Sequence, residues 1–254
     1  MVKEFELPSG KKICYLGPDI EEGPLPALFY FALSAEESLT LEPYCNPVLA
    51  MQREKLRIFS MTLPCHGHSQ DKYAAMGNWA KQMADGQYIL KDFIESAHKA
   101  IDTLIAENII NPKRLALAGL SRGGFIATHV AAHQKQVGAL VCFAPLTSLT
   151  TVEEFKDFQD HLRLRIEKLA LTTLCEQLTH LHHLRFYIAN RDTRVDTDTC
   201  IHFVRQMAER VHEKRAKHCK VEMMLTSPIG FKGHGTSPHI FTEGAKLLEH
   251  FLIG

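Results

Sequence analysis

A serine flanked by glycines, then an aspartate, then a histidine follow one another along this chain in an order that suits nucleophilic acyl chemistry. The serine sits in Gly119-Leu120-Ser121-Arg122-Gly123, with a further glycine, Gly124, behind it. The pentapeptide alone says little, because small residues recur by chance. Its flanks carry the information. An apolar strand-like run, 114–120, leads straight into it, and a helical run, 122–134, leads straight out. A serine on such a strand-to-helix turn is held in a strained conformation, with its hydroxyl projecting from the sheet edge. Glycines two before and two after are required because a Cβ there would collide with the adjoining strand and helix. The start of the helix also aims free amides at the site, favouring negative charge on a bound carbonyl.

A serine hydroxyl is a weak nucleophile until a base takes its proton, and the base needs an acid to orient it. Both belong just past later strands, at the carboxyl end of the sheet. After the strand-like run 184–189 comes Asp192, with Val195 three residues on; after 220–226 comes His234, between Gly233 and Gly235. Asp196 is the competing acid. It follows Val195, whose apolar side chain suits the anchoring of the next helix, so Asp196 reads as an N-cap and Asp192 as the orienting acid. The expected roles are Ser121 as nucleophile, His234 as base, Asp192 as its support and the Arg122 amide as an oxyanion donor.

The elements that must position these residues are legible as short apolar runs alternating with amphipathic ones. Runs 3–7 and 12–16 flank a Pro8–Lys11 turn and predict an antiparallel hairpin. Run 27–33, without alternation, predicts a strand buried on both faces, and 56–63 another. Helices are expected at 46–55 and at 86–108, where Ile89, Leu90, Phe93, Ala97, Ile101, Leu104 and Ile105 form one stripe. Strands at 114–120, 137–144, 184–189 and 220–226 then alternate with helices at 122–134, 152–181, 197–217 and 237–253. That order predicts an α/β fold: one domain, 1–254, built on a mostly parallel, doubly wound sheet of about eight strands. The stretch 149–181 lies between the nucleophile half and the acid half, where its helical spacing suits either a small lid over the site or an ordinary amphipathic crossover helix.

Gly119 to Gly124, Asp192 with Val195, and Gly233-His234 resemble the nucleophile, acid and base motifs of the α/β-hydrolase superfamily. Gly124 and the Asp-x-x-Val spacing are most similar to the catalytic domain of the prolyl oligopeptidase group and its short esterase relatives. The resemblance runs from the 27–33 strand to the closing helix, and without room for a β-propeller it implies an isolated catalytic domain. Segment Leu63-Pro64-Cys65-His66-Gly67-His68-Ser69 is similar to the family's loop after its fourth strand. One departure stands out: Leu33-Ser34 occupies the place of the family's His-Gly. Backbone amides need no particular side chain, so the resemblance implies Ala35 N–H as the partner of Arg122 N–H in the oxyanion hole. It implies hydrolysis of a small ester, thioester or short peptide-like substrate through an acyl-enzyme, with no cofactor. An acyltransferase using the same intermediate, or a non-catalytic binding protein that kept the fold, are the alternatives.

Composition narrows the field further. Of 254 residues 45% are hydrophobic and 23% charged, an ordinary globular balance. Twenty-nine basic residues meet 29 acidic ones, so the basic excess of a nucleic-acid binder is missing. Seven cysteines, an odd count without a CxxC pair, point to reduced thiols in a cytoplasmic protein rather than a disulfide scaffold. The N-terminus carries two acids and no apolar core, unlike a signal peptide, and no apolar run approaches the ~20 residues of a membrane span. Cys65, His66 and His68 have metal-ligand chemistry but sit within one sharp loop, which predicts a structural role, with no metal bound. His180, His182 and His183 read as surface histidines. Arg122 has the chemistry to meet a substrate carboxylate, and Glu36 and Glu37 a cationic group, although a local or solvated role suits each of them.

Overall fold

The chain folds its apolar and amphipathic runs in the alternation in which they are written. The computed structural model describes residues 1–67 and 70–254. The hairpin of β1 (Lys3–Glu6) and β2 (Lys12–Leu16) comes first, closed by Leu7 N–H donating to the Lys11 carbonyl at 2.8 Å. Then come β3 (Leu25–Phe31), α1 (Ala35–Thr40), α2 (Asn46–Leu49), β4 (Arg57–Ser60), α3 (Ala75–Ala84) and α4 (Ile89–Ala106). The second half holds β5 (Ile110–Leu120), α5 (Arg122–His133), β6 (Val137–Phe143), α6 (Asp160–Glu167), β7 (His183–Ala189), α7 (Thr197–Glu213), β8 (Lys220–Thr226) and α8 (Pro238–Ile253).

The eight strands form one sheet in the order β1-β2-β4-β3-β5-β6-β7-β8. β1 and β2 join antiparallel, as do β2 and β4; every other join is parallel. Both faces are covered, which is why the central strands are apolar without alternation. In β5, Leu115 and Leu117 face a core shared with Trp79 and with Ile101 and Leu104 of α4. The intervening Ala116 and Ala118 face the opposite core, with Phe241 and Leu248 of α8. A single strand thus anchors two helical layers, and its last residue leads directly into Ser121.

Three stretches differ from the sequence expectation. The helix foreseen over 46–55 stops after Leu49, and the Gln52 N–H is taken by the Glu249 carboxylate of α8. Helix α3 was not foreseen, although Ala75, Met76, Trp79, Ala80 and Met83 repeat at helical spacing and are all buried. The stretch 152–181 is not one helix. Short 3₁₀ turns at Leu149–Thr151, Glu153–Phe155, Leu171–Leu174 and Gln177–His180 surround α6. Phe155, Ile166, Leu171 and Leu178 all enter the main core, and Leu171 N–H donates to the Thr147 carbonyl at 2.9 Å. A straight helix presents one stripe in one direction; repeated breaks let each short turn bury its own side chain. Among the described residues no helix is long and apolar enough to cross a membrane. All seven cysteines are free thiols, five of them buried.

Candidate active site

Ser121 occupies the turn between β5 and α5 with φ 55° and ψ −119°, a region costly for any residue with a Cβ. The turn is held from both sides. Ser121 N–H donates to the Phe143 carbonyl at 2.8 Å, and Leu146 N–H donates to the Ser121 carbonyl at 3.1 Å. The glycine requirement is steric. A Cβ on Gly119 would lie 2.3 Å from the Gly123 backbone, and one on Gly123 would lie 1.9 Å from the Phe31 carbonyl oxygen. No substitution at Gly123 leaves β3 and α5 in place.

The acid arrives on the loop after β7. Asp192 is buried, and its own N–H donates to Thr197 Oγ1 at 2.9 Å, while Thr197 Oγ1 donates to the Ala189 carbonyl at 2.7 Å. Those bonds tie the loop to the end of its strand and to the first turn of α7. Asp196 is the N-cap of α7: its side chain accepts from Asp198 N–H at 3.0 Å and from Thr199 Oγ1 at 2.8 Å. The base arrives on the loop after β8. A Cβ on Gly233, at φ 77°, would lie 2.2 Å from the Arg191 carbonyl, so glycine lets the two loops touch. Thr193 N–H donates to the Lys232 carbonyl at 2.9 Å and locks acid loop to base loop.

These supports bring Ser121, His234 and Asp192 into one line. His234 Nε2 lies 2.8 Å from Ser121 Oγ, and His234 Nδ1 lies 2.7 Å from Asp192 Oδ2. The remaining Asp192 oxygen, Oδ1, accepts from Arg194 N–H at 2.9 Å and Val195 N–H at 3.1 Å. A carboxylate only accepts, so Nδ1 must carry the proton and Nε2 is left to accept from the serine hydroxyl. That tautomer is the one a general base needs.

A cavity of about 530 Å³ opens on this line, walled by Ala32, Leu33, Tyr44, Leu120, Ser121, Arg122, Glu154, Arg194 and His234. Arg122 N–H stands at the first turn of α5 and, among the described residues, has no acceptor. Ala35 is not there. Its N–H donates to Thr62 Oγ1 at 3.0 Å, and it lines a different cavity with Glu36, Glu37 and Thr62. The cause is a capping box: Ser34 caps α1 with Glu37, which rotates the Ala35 amide into the helix axis and away from Ser121. The same turn removes Glu36 and Glu37 from the Ser121 cavity. Leu33 does reach the cavity, but its N–H donates to Ser38 Oγ at 2.9 Å. Tyr44, which sequence spacing did not single out, places its phenol in the wall, and burial raises its pKa.

Charges around the cavity are mostly paired off. Arg194 holds Glu154 through two bonds, 2.9 and 2.6 Å, and Lys156 holds Glu153 at 2.5 Å. Burial pushes Glu154 up, but the Arg194 fork, a main-chain hydrogen bond and the Arg122 charge together keep the carboxyl below its ordinary range. Burial, followed by the Arg194 charge, pushes the Arg122 guanidinium down to about 10, so it remains charged at neutral pH. Cys65 Sγ accepts from Gln82 Nε2 at 3.1 Å and His66 Nδ1 meets the Pro64 carbonyl at 2.9 Å, both fastening their loop; His68 lies outside the described residues. His180 Nδ1 closes its own turn on the Gln177 carbonyl, and His182 packs edge-on against His218. Among the described residues no group of three or more His, Cys, Asp or Glu could hold a metal ion.

Comparison with known proteins identifies the family and the fold. The model of the prolyl oligopeptidase family matches residues 74–226, more than half of the chain. No curated protein matches by sequence. Among solved structures, TT1662 from Thermus thermophilus superposes with a TM-score of 0.72 at 18% identity, over 100% of this chain and 99% of that one. A cold-adapted esterase from an Arctic intertidal metagenomic library gives 0.63 at 17% identity, over 99% and 93%. Acylaminoacyl peptidase in complex with Z-Gly-Gly-Phe-chloromethyl ketone gives 0.67 at 15% identity, over 98% of this chain but only 41% of that longer one. At these identities the structural likeness is one of fold.

Proposed function

The chain belongs to the prolyl oligopeptidase family of α/β serine hydrolases, and from that premise we propose that it cleaves small ester, thioester or short peptide-like substrates through an acyl-enzyme on Ser121. The observation that carries this reading is the unbroken hydrogen-bond line Ser121–His234–Asp192, with links of 2.8 and 2.7 Å, opening on a cavity beside a free amide. His234 Nε2 takes the hydroxyl proton as Oγ attacks the carbonyl, and Asp192 supports the imidazolium that forms. The same proton is then returned to the leaving group, and a water attacks the acyl-enzyme by the reverse route. Arg122 N–H faces the oxygen on which negative charge collects. With Ala35 turned away, the wall offers two phenols, Tyr44 and the exposed Tyr73, and the less exposed Tyr44 suits the second place.

The stretch 149–181 enters the cavity through Glu153 and Glu154 while Val152, Phe155, Ile166, Leu171, Leu174 and Leu178 are buried in the core. It suits a fixed wall better than a mobile lid, and chain 1–254 then acts as one domain. Seven free thiols suit a reducing, cytoplasmic setting. The test is a panel of aryl esters of graded acyl length, followed before the steady state. The reading expects a burst of one aryl alcohol per active site, then slower turnover, both lost in Ser121→Ala. Turnover that survives Ser121→Ala would overturn it.

A further inference from the structure

Three cations line the cavity beside Ser121, Arg122, Arg194 and Lys232, and among the described residues only Arg194 is in an ion pair. Lys232 is exposed at the mouth, whereas Arg122 stands next to the nucleophile. Glu154 bonds directly to Arg194 and Glu153 to Lys156, so neither carboxylate in the wall is bonded to the Arg122 guanidinium, although Glu154 is near enough to favour its charge. Among the described residues, Arg122 makes no ion pair, and its one side-chain hydrogen bond runs from Nη1 to the Lys72 carbonyl at 3.2 Å. A guanidinium carries five N–H donors in a planar fork that fits a carboxylate through two parallel bonds. Among the described residues the other four donors have no protein partner. Arg122 is only partly exposed, and holding a guanidinium part-way out of water without a directly bonded carboxylate is costly. The fork also stands in a telling place. The same residue that offers its main-chain N–H to the reacting carbonyl lines the cavity with its side chain, so an anion on the fork lies a few bonds from the scissile bond.

Resting on the hydrolase reading above, we propose that the site selects substrates bearing a carboxylate a few methylenes from the scissile carbonyl, as in a half-ester of a short dicarboxylic acid, and that Arg122 holds that carboxylate through its fork. Arg122 is here a binding residue; the chemistry stays with Ser121 and His234. Charge-assisted bonds of this kind, made away from bulk water, correspond to roughly a ten- to hundredfold preference.

The proposal is tested with a matched pair of esters, 4-nitrophenyl hemiglutarate and its uncharged isostere 4-nitrophenyl 5-methylhexanoate. Wild type is expected to show a kcat/KM at least tenfold higher for the hemiglutarate, expressed mainly in KM. Arg122→Gln keeps the main-chain N–H and should collapse the ratio of the two toward one, while Arg122→Lys, which keeps charge without the fork, should give an intermediate ratio. Equal rates on both esters in wild type, or an Arg122→Gln loss shared equally by both, would overturn the proposal and leave the hydrolase reading standing. A second measurement does not depend on turnover: calorimetric titration of Ser121→Ala with glutarate, expected to saturate and to weaken at least tenfold when Arg122→Gln is added. Arg122-dependent glutarate binding by a protein that cleaves neither ester would support the anion site while refuting the hydrolase reading. Binding that ignores Arg122 would refute the anion site.

Discussion

Asp192→Asn separates the proposed proton line from every purely structural account of the same loop. In the wild-type arrangement Asp192 Oδ1 accepts two main-chain N–H groups, from Arg194 and Val195, and Oδ2 faces His234 Nδ1. An asparagine has one oxygen and one NH₂. Turning the NH₂ toward Arg194 and Val195 would set donors against two buried N–H groups, at about 1–3 kcal/mol for each left unsatisfied. The oxygen therefore stays with them, and the NH₂ is forced onto His234 Nδ1. Nδ1 must then accept, the proton moves to Nε2, and Nε2 can no longer take one from Ser121. The expected loss is roughly 10⁴ in kcat, about 5 kcal/mol in barrier, with little change in stability because the loop's main-chain bonds survive. Asp196→Ala is the control. It removes the cap of α7 at a position with φ 69°, where alanine is strained, and is expected to cost about 2–3 kcal/mol of stability with kcat nearly unchanged. Stopped-flow hydrolysis of an aryl ester beside denaturant unfolding reads both quantities for both variants. An Asp192→Asn enzyme within tenfold of wild type, or an inactive but stable Asp196→Ala, would refute the reasoning.

Two further outcomes follow from the same geometry. Tyr44→Phe should lower kcat by roughly 10² with KM little moved, since a donor to the oxyanion acts in the transition state; steady-state kinetics check this, and a change confined to KM would remove Tyr44 from that role. Burial holds His66 and His129 neutral, each with its pKa lowered to about 4 against 6.5 in the unfolded chain. Between those values the unfolded chain binds more protons than the folded one, so stability is complete above pH 6.5 and declines as pH falls toward 4, by about 2 kcal/mol per histidine at pH 5. His129→Gln, which keeps a donor for the Leu169 carbonyl, should remove about half of the decline seen by denaturant unfolding; an unchanged decline would contradict it.

What the sequence made legible divides along a physical line. The Ser121 turn could be read because its constraint is local: Gly119 and Gly123 lie within two residues of Ser121, and the collisions they avoid involve the strand and helix they join. Asp192 could be told from Asp196 because capping is also local, set by where α7 begins. The mostly parallel sheet of eight strands and the hairpin followed from strand–helix alternation and turn residues, whereas the strand order within the sheet is seen only in the folded chain. Ala35 was misplaced because the direction of its amide depends on a capping box, visible as Ser34 and Glu37, and on Thr62, which comes from a distant part of the chain. The first of those signals was in the sequence; the second was not. The unbroken helix over 152–181 failed because its apolar spacing is helical while the buried side chains Phe155, Ile166, Leu171 and Leu178 come from four separate short elements, a break pattern set by tertiary packing. Tyr44 and the pairing of Arg194 with Glu154 depend on loops that meet only in the folded chain, and no spacing rule announces them.

The central claim is that Ser121 is the activated nucleophile, and the most direct measurement is covalent. A fluorophosphonate reacts with a serine only where a neighbouring base has made it nucleophilic and a site stabilises the charged product. Incubation of the protein with such a probe, followed by proteolysis and mass spectrometry, locates the adduct to a residue. The account predicts stoichiometric labelling on Ser121 alone, abolished in Ser121→Ala and strongly slowed in His234→Gln. Labelling of another serine, or an unlabelled Ser121 in correctly folded protein at probe excess, would contradict it.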